Sequence, residues 1–153
     1  MDKTNVHRLL DVAGISYSSH FYDEEITDGE LVAKALGEDP DRVYKTLVTE
    51  DPYHNHFVFC VPVNARLNLK KAAKAAGVKS IEMILQKTLL PLTGYVHGGC
   101  SPIGMKKPFP TFIEETAQLY DTIFVSGGKK GCQVEVSPAD LATYIKASFI
   151  DLL

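Results

Sequence analysis

Lys45, two glycine-rich loops and a few hydroxyls are the residues here whose types and spacing could do chemistry. The first loop is Tyr95-Val96-His97-Gly98-Gly99-Cys100-Ser101-Pro102-Ile103-Gly104-Met105-Lys106-Lys107, and the second is Ser126-Gly127-Gly128-Lys129-Lys130-Gly131. Glycines permit positive φ and a close approach of the backbone to another group, and Pro102 stiffens one corner of the first loop. Each loop is expected to follow a short apolar strand, and both could face one pocket. Loops of this kind can aim several backbone N–H groups at one oxygen, with a lysine nearby for an anion. Such a site holds an oxyanion or orients a carbonyl. It suits a reaction whose nucleophile comes from the substrate or from water.

Other catalytic machinery is missing from the sequence. There is no Gly-x-x-x-x-Gly-Lys-Ser/Thr phosphate loop, no Gly-x-Gly-x-x-Gly opening a helix and no Gly-x-Ser-x-Gly nucleophile elbow. His54 and His56 can share a strand face but have no third metal ligand, so no metal or other cofactor is expected. Cys100 has only neighbouring His97 as a candidate base and reads as a small packing residue. Ser101 and Ser126 read as hydrogen-bonding or turn residues rather than activated nucleophiles.

Periodicity supplies the elements that must carry these residues. Val6, Leu9, Leu10 and Ala13 mark one face of a helix, with Thr4 to cap it and Gly14 to end it. Residues 15–22 partly alternate and predict a strand. Asp28 caps a second helix with Leu31, Val32, Ala35 and Leu36 inward, stopped by Gly37. Residues 43–48 form a β-branched and aromatic strand. Period two puts Val43, Lys45 and Leu47 on one face and Tyr44, Thr46 and Val48 on the other. If Leu47 faces the interior, the Lys45 ammonium goes with it and needs partners; if that face is open to solvent, Lys45 is ordinary.

A turn at 52–55 leads to a second strand at 56–63, completing a hairpin. Asn68 caps a helix over 69–76 that Gly77 ends. Residues 78–83 predict a short strand, and 84–92 a helix that Pro91 should end or kink. Strands follow at 111–113, 122–125 and 132–136, the last two as antiparallel partners. Ser137-Pro138-Ala139-Asp140 opens a final helix that runs to about residue 149. Helices and strands that never alternate strictly predict an α+β fold with a mixed or mostly antiparallel sheet.

The 153 residues are read as one domain, 1–153. An apolar fraction of 45% and a charged fraction of 23% suit a globular chain. No apolar run approaches the roughly 20 residues that span a membrane, and the N-terminal residues lack the apolar core of a secretory signal. Three widely spaced cysteines suggest no disulfide framework, so a cytoplasmic location is expected. A net charge of −3 gives no global attraction for nucleic acid. Lys70, Lys71, Lys74 and Lys79, with the loop lysines, are the candidates for a local basic face; a solvated helix face is the plainer reading of the first four.

Three ordered segments carry a resemblance: 43–47 (Val-Tyr-Lys-Thr-Leu), 94–104 around Gly98-Gly99, and 125–131 around Ser126. Together they resemble the YbaK/EbsC family, which includes Cys-tRNA(Pro) deacylases, the editing domain inserted in bacterial prolyl-tRNA synthetases and free-standing Ala-tRNA(Pro) deacylases. The match extends over nearly the whole chain. It implies a mixed sheet curled into a partial barrel with helices around it. It also implies that Lys45 is the lysine on which activity depends, that the Gly98-Gly99 loop supplies backbone donors to the aminoacyl carbonyl, and that Ser126, Gly127 and Gly128 line the opposite wall. Tyr22, Tyr44, Thr46 and Ser101 are implied as substrate neighbours.

In the Cys-specific branch the substrate's own thiol attacks its ester, releasing a cyclic thioester. The implied activity is therefore editing of Cys-tRNA(Pro), with aminoacylated tRNA as partner and prolyl-tRNA synthetase as a tether. The alternatives are water-driven removal of a small residue such as alanine, or a non-catalytic tRNA- or protein-binding module. Three positions depart from the family pattern. Cys100 stands where an aliphatic residue is common, Gln133 where some relatives carry an acid, and 27–29 lacks an aromatic found in some Cys-specific members.

Overall fold

The computed structural model describes residues 3–153; Met1 and Asp2, the first residues of the segment read for a signal, lie outside it. The elements run α1 (Asn5–Ala13), β1 (Tyr17–Phe21), α2 (Gly29–Leu36), β2 (Tyr44–Glu50), β3 (His56–Pro62), α3 (Leu69–Ala76), β4 (Glu82–Met83), α4 (Leu89–Thr93), β5 (Thr111–Glu114), β6 (Ile123–Ser126), β7 (Cys132–Val136), α5 (Pro138–Ile145) and β8 (Ser148–Ile150). The helix boundaries follow local chemistry. Thr4, Asp28, Asn68 and Ser137 each accept a hydrogen bond from a first-turn N–H, and Gly14, Gly37 and Gly77 end α1, α2 and α3 in the left-handed conformation.

The fold is α+β with mixed sheets. Three strands order as β1-β7-β6, all antiparallel, and five as β4-β2-β3-β5-β8. In the larger sheet β3–β5 and β5–β8 are parallel, whereas β2 is antiparallel to both its neighbours. A single parallel bridge between Val43 and Phe124 joins the two sheets at the start of β2. One core gathers α1, α5 and the smaller sheet around Leu10, Ile123 and Val134; a second packs α3 on Phe59, Val61 and Leu152. Each fully buried side chain of this size contributes about 1.5–3 kcal/mol. At the seam, Val43 and Phe124 pack under Ala33 of α2. Arg42 locks the same corner: it donates to the Thr122 carbonyl and hydroxyl, and its guanidinium lies 5.3 Å from the Phe124 ring centroid.

Several expectations need correction. The last helix stops at Ile145 because Lys146 adopts φ 56°, and the chain then adds β8 to the edge of β5. A non-glycine left-handed cap carries no sequence signal. Residues 84–92 are not one helix: a 3-10 turn at Gln86–Thr88 precedes α4. Pro91 sits in the first turn of α4, where its missing N–H has no intrahelical partner to lose. The strand expected at 78–83 is confined to β4. Leu31 is 54% exposed and Ala35 is exposed too; α2 turns Val32 inward as expected, and Ala33 beside it. Tyr95-Val96 is not a strand; it is an irregular connection held by the buried Tyr95 hydroxyl, which donates to the Ile103 carbonyl.

Candidate active site

A cavity of about 300 Å³ opens at the seam between the sheets. Its walls are the start of β2 (Val43 to Leu47), the cap of α2 (Thr27, Asp28, Gly29), the first glycine loop (His97, Gly98, Cys100), and Tyr22, Ser126 and Gln133 from the smaller sheet. The two loops thus meet at one cavity, but each gives it only a few groups.

Lys45 lies on the cavity wall, half-buried. Desolvation lowers its pKa; Glu30 and Asp28 act in the opposite sense, while Arg66 lowers it further. The alternation of β2 is therefore resolved in favour of an inward Lys45. Neighbouring Thr46 also lines the cavity, its hydroxyl 4.0 Å from the Cys60 sulfur. Tyr44 is almost wholly buried, its hydroxyl 3.5 Å from Thr116, and burial pushes its pKa up to about 12.

In the first loop, Gly98 has φ 87°, and a Cβ there would sit 2.9 Å from Thr27 Cγ2. Gly98 and Cys100 line the cavity, and among the described residues neither N–H has an acceptor. Gly99 does not line it: its N–H donates to the Val96 carbonyl at 3.0 Å, and its Cα packs against the Lys129–Lys130 backbone. Ser101 is fully buried, its hydroxyl accepting from Ile103 N–H at 3.2 Å. The Cys100 thiol has its pKa pushed up to about 12 by burial, so it is held as thiol.

In the second loop only Ser126 reaches the cavity, its hydroxyl accepting from Gly128 N–H at 3.2 Å. Gly127 packs on Cys132 and donates its N–H to that residue's carbonyl; Gly128, at φ 96°, packs on Val6. Helix α1 backs this loop. The Thr4 hydroxyl donates to the Gly127 carbonyl at 2.6 Å, and buried His7 sits 3.8 Å from the Cys132 sulfur. Of the residues expected at the site, then, Lys45, Tyr22, Tyr44, Thr46, Gly98 and Ser126 come together, while Gly99, Ser101, Gly127 and Gly128 lie behind the wall. Sequence reasoning gave no role to His97, Cys100 or Asp28 in a cavity, and Gln133 was noticed only as a departure from a pattern. Among the described residues no group of three His, Cys, Asp or Glu side chains is placed to hold a metal ion. No described helix is long and apolar enough to cross a membrane.

A model of the aminoacyl-tRNA editing domain matches residues 23–144, a span that holds every cavity residue except Tyr22. The chain belongs to the aminoacyl-tRNA editing domain family. This editing-domain chain is 41% identical over 152 residues, covering 98% of itself and 93% of its relative, to an Enterococcus faecalis protein named "Putative Cys-tRNA(Pro)/Cys-tRNA(Cys) deacylase EbsC". Two solved structures share the fold. One, described as a "putative trans-editing enzyme for prolyl tRNA synthetase", superposes with a TM-score of 0.86 at 22% identity over 99% of this chain and 98% of its own. The other, "hypothetical protein APE2540", gives 0.87 at 19% identity over 96% and 99%. Helix α1, β1 and β8 fall outside the matched span of the editing domain, yet Thr4, the cap of α1, holds the Ser126 loop from behind.

Proposed function

We propose that the protein deacylates mischarged Cys-tRNA(Pro) in trans, using the thiol of the mischarged cysteine as nucleophile. One observation carries this reading: the cavity is lined by a desolvated lysine and by two residues, Gly98 and Cys100, whose N–H groups have no acceptor among the described residues, with no activated nucleophile beside them. The Cys100 thiol is protonated, the Ser101 hydroxyl is buried in its loop, and Ser126 has no histidine partner. The E. faecalis relative's name supports cysteine as the amino acid.

In this mechanism the substrate thiol gives up its proton, and the sulfur attacks the ester carbonyl carbon. The bond to the ribose oxygen breaks, and that oxygen leaves with a proton. Cysteine departs as a cyclic thioester, which water opens. Lys45 relays the proton from sulfur to the ribose oxygen, a task that a lysine losing hydration performs more readily. Gly98 and Cys100 N–H groups receive the developing oxyanion, replacing the Gly98-Gly99 pair suggested by sequence. The Ser126 O–H, whose oxygen already accepts from Gly128, is free to donate to the same group. Tyr44 and Thr46 shape the wall on the β2 side. Gly99, Ser101, Gly127 and Gly128 keep the loops in place. Orientation of an internal nucleophile contributes about 7–11 kcal/mol to such reactions. The partner is aminoacylated tRNA, and docking on prolyl-tRNA synthetase offsets the weak attraction of a chain with net charge −3 for RNA.

The test is single-turnover hydrolysis of Cys-tRNA(Pro), Cys-tRNA(Cys) and Ala-tRNA(Pro) by the wild type and Lys45→Ala. Loss of cysteine alone, slowed at least ~100-fold in the variant, is the expected result. Preferential loss of alanine would replace the thiol by water. Hydrolysis of none of them, with or without synthetase, would leave a binding module. Equal rates on the two cysteinyl substrates would place tRNA choice outside this chain.

A further inference from the structure

We propose that Gln133 reads the free α-amino group of the bound amino acid, its side-chain oxygen accepting a hydrogen bond from the substrate's α-ammonium. The inference rests on the aminoacyl-ester reading above and adds a selection that reading does not contain: for free amines over N-acylated esters, and so against peptidyl-tRNA.

Gln133 sits in β7 between its cross-strand neighbours His20 on β1 and Ser126 on β6. It is 6% exposed and lines the cavity. Its Nε2 donates to the Tyr22 hydroxyl at 3.4 Å. Its Oε1 is buried with no partner, the only such side-chain atom among the described residues. Glu135, two residues along and on the same face of the strand, shows the contrast. Its oxygens take His20 at 3.0 Å, the Thr122 hydroxyl at 2.6 Å and Arg42 at 3.5 Å. A buried acceptor left empty destabilises the fold, and an apolar side chain at position 133 would avoid that loss. Gln133 lines the cavity, and the donor assigned to its oxygen comes from what fills that space.

A cysteinyl ester offers two donors on its amino acid. The ammonium has three N–H groups, whereas the thiol is a weak donor and has lost its proton when it attacks. The Tyr22 hydroxyl narrows the choice. It already accepts from Gln133, so its own hydrogen is free for an acceptor, and burial raises its pKa and keeps that hydrogen in place. Gln133 and Tyr22 thus present an acceptor beside a donor. An α-amino ester presents the complement, N–H beside C=O, separated by one carbon. Asp28 on the cavity wall, with Glu30 near Lys45, balances the added positive charge. An N-acyl group would replace the ammonium with a single N–H and add a chain beside Gln133.

The test is calorimetric binding of 3′-deoxy-3′-(L-cysteinylamino)adenosine, its L-alanyl form and its desamino form (3-mercaptopropionyl), which cannot be hydrolysed as esters. Wild type, Gln133→Met and Gln133→Glu are compared, each with its thermal midpoint. The expected result is that the wild type prefers cysteinyl and alanyl forms to the desamino form. Gln133→Met should weaken both amines about ten- to a hundredfold, the range for a hydrogen bond to a charged group. The desamino form should bind as before, with a midpoint unchanged or higher because the empty acceptor is gone. Gln133→Glu, which keeps an acceptor oxygen, should retain the preference for amines and serves if the Met variant does not fold. Equal weakening of amine and desamino forms, loss confined to the thiol compounds, no change in Gln133→Met, or loss of the preference in Gln133→Glu would each overturn the inference while leaving deacylation intact. Failure of every analogue to bind the wild type would overturn the aminoacyl-site reading itself, and this inference with it.

Discussion

The two glycine-lysine loops are alike in composition and unlike in what their backbones do. In the first, Gly98 and Cys100 line the cavity and their N–H groups have no acceptor among the described residues, and only Gly99 of the three is tied, to Val96. In the second, Gly127 and Gly128 donate to Cys132 and Ser126, and a Cβ on Gly131 would lie 2.7 Å from the Tyr22 carbonyl. Its lysines do not line the cavity; Lys129 lies 5.9 Å from the Phe21 ring centroid. On the proposed mechanism the backbone donors come from the first loop, whereas the second is a hairpin whose glycines allow close packing and which gives the cavity the Ser126 side chain. Composition does not separate a loop that binds from one that supports. The destination of each N–H does.

Substitutions can sharpen that contrast. The largest effect is expected from Gly98→Ala. At φ 87° a Cβ is strained by about 1–2 kcal/mol, and it would press on Thr27, itself a cavity residue. Deacylation should fall about 100-fold, because displacing a donor by ~1 Å has that effect, with a smaller loss of stability in urea unfolding. Gly128→Ala should show the reverse. Its φ of 96° and a Cβ 2.9 Å from Val6 Cγ2 predict a loss of about 2–3 kcal/mol in stability. The rate per folded molecule should stay within about threefold, since only the support is disturbed. A large rate loss in Gly128→Ala with an intact fold would erase the distinction between the loops.

The smallest effect is one of pH. His7 lies under the second loop, its Nδ1 accepting from Thr4 N–H at 2.9 Å and its Nε2 2.8 Å from the Ser19 hydroxyl. Burial lowers its pKa below the ordinary 6.5. Between that folded value and 6.5 the unfolded chain binds more protons, so stability rises with pH there. The contribution is complete above pH 6.5 and drains as pH falls through the folded pKa. Thermal midpoints should drop from pH 7 to pH 5 in the wild type and drop less in His7→Gln.

Much of this was legible in the sequence, and the losses have physical causes. Helix ends at Thr4, Asp28, Asn68 and Ser137 were readable because a cap is a local event between a side chain and the next turn. The β2–β3 hairpin was readable for the same reason. The β5–β8 pairing was not, since parallel strands meet through distant segments and Lys146 ends α5 without a glycine. At the site, alternation left the face of Lys45 open and the resemblance singled it out; the cavity wall it lies on is completed by the cap of α2 and both loops. Gly99 looked equivalent to Gly98 until the Val96 hydrogen bond removed its N–H. Gln133 was a mismatch in a pattern; only the fold shows its oxygen buried beside Tyr22 without a partner.

The central claim is that the substrate brings the nucleophile and the protein brings Lys45, Gly98 and Cys100 to it. The most direct test replaces the thiol by a methyl group of nearly equal size: hydrolysis of Cys-tRNA(Pro) against 2-aminobutyryl-tRNA(Pro), measured at one saturating enzyme concentration. Rapid loss of cysteine is expected, with no loss of 2-aminobutyrate above the spontaneous rate, although both occupy the cavity. Cleavage of both at similar rates would contradict that claim and make water the nucleophile.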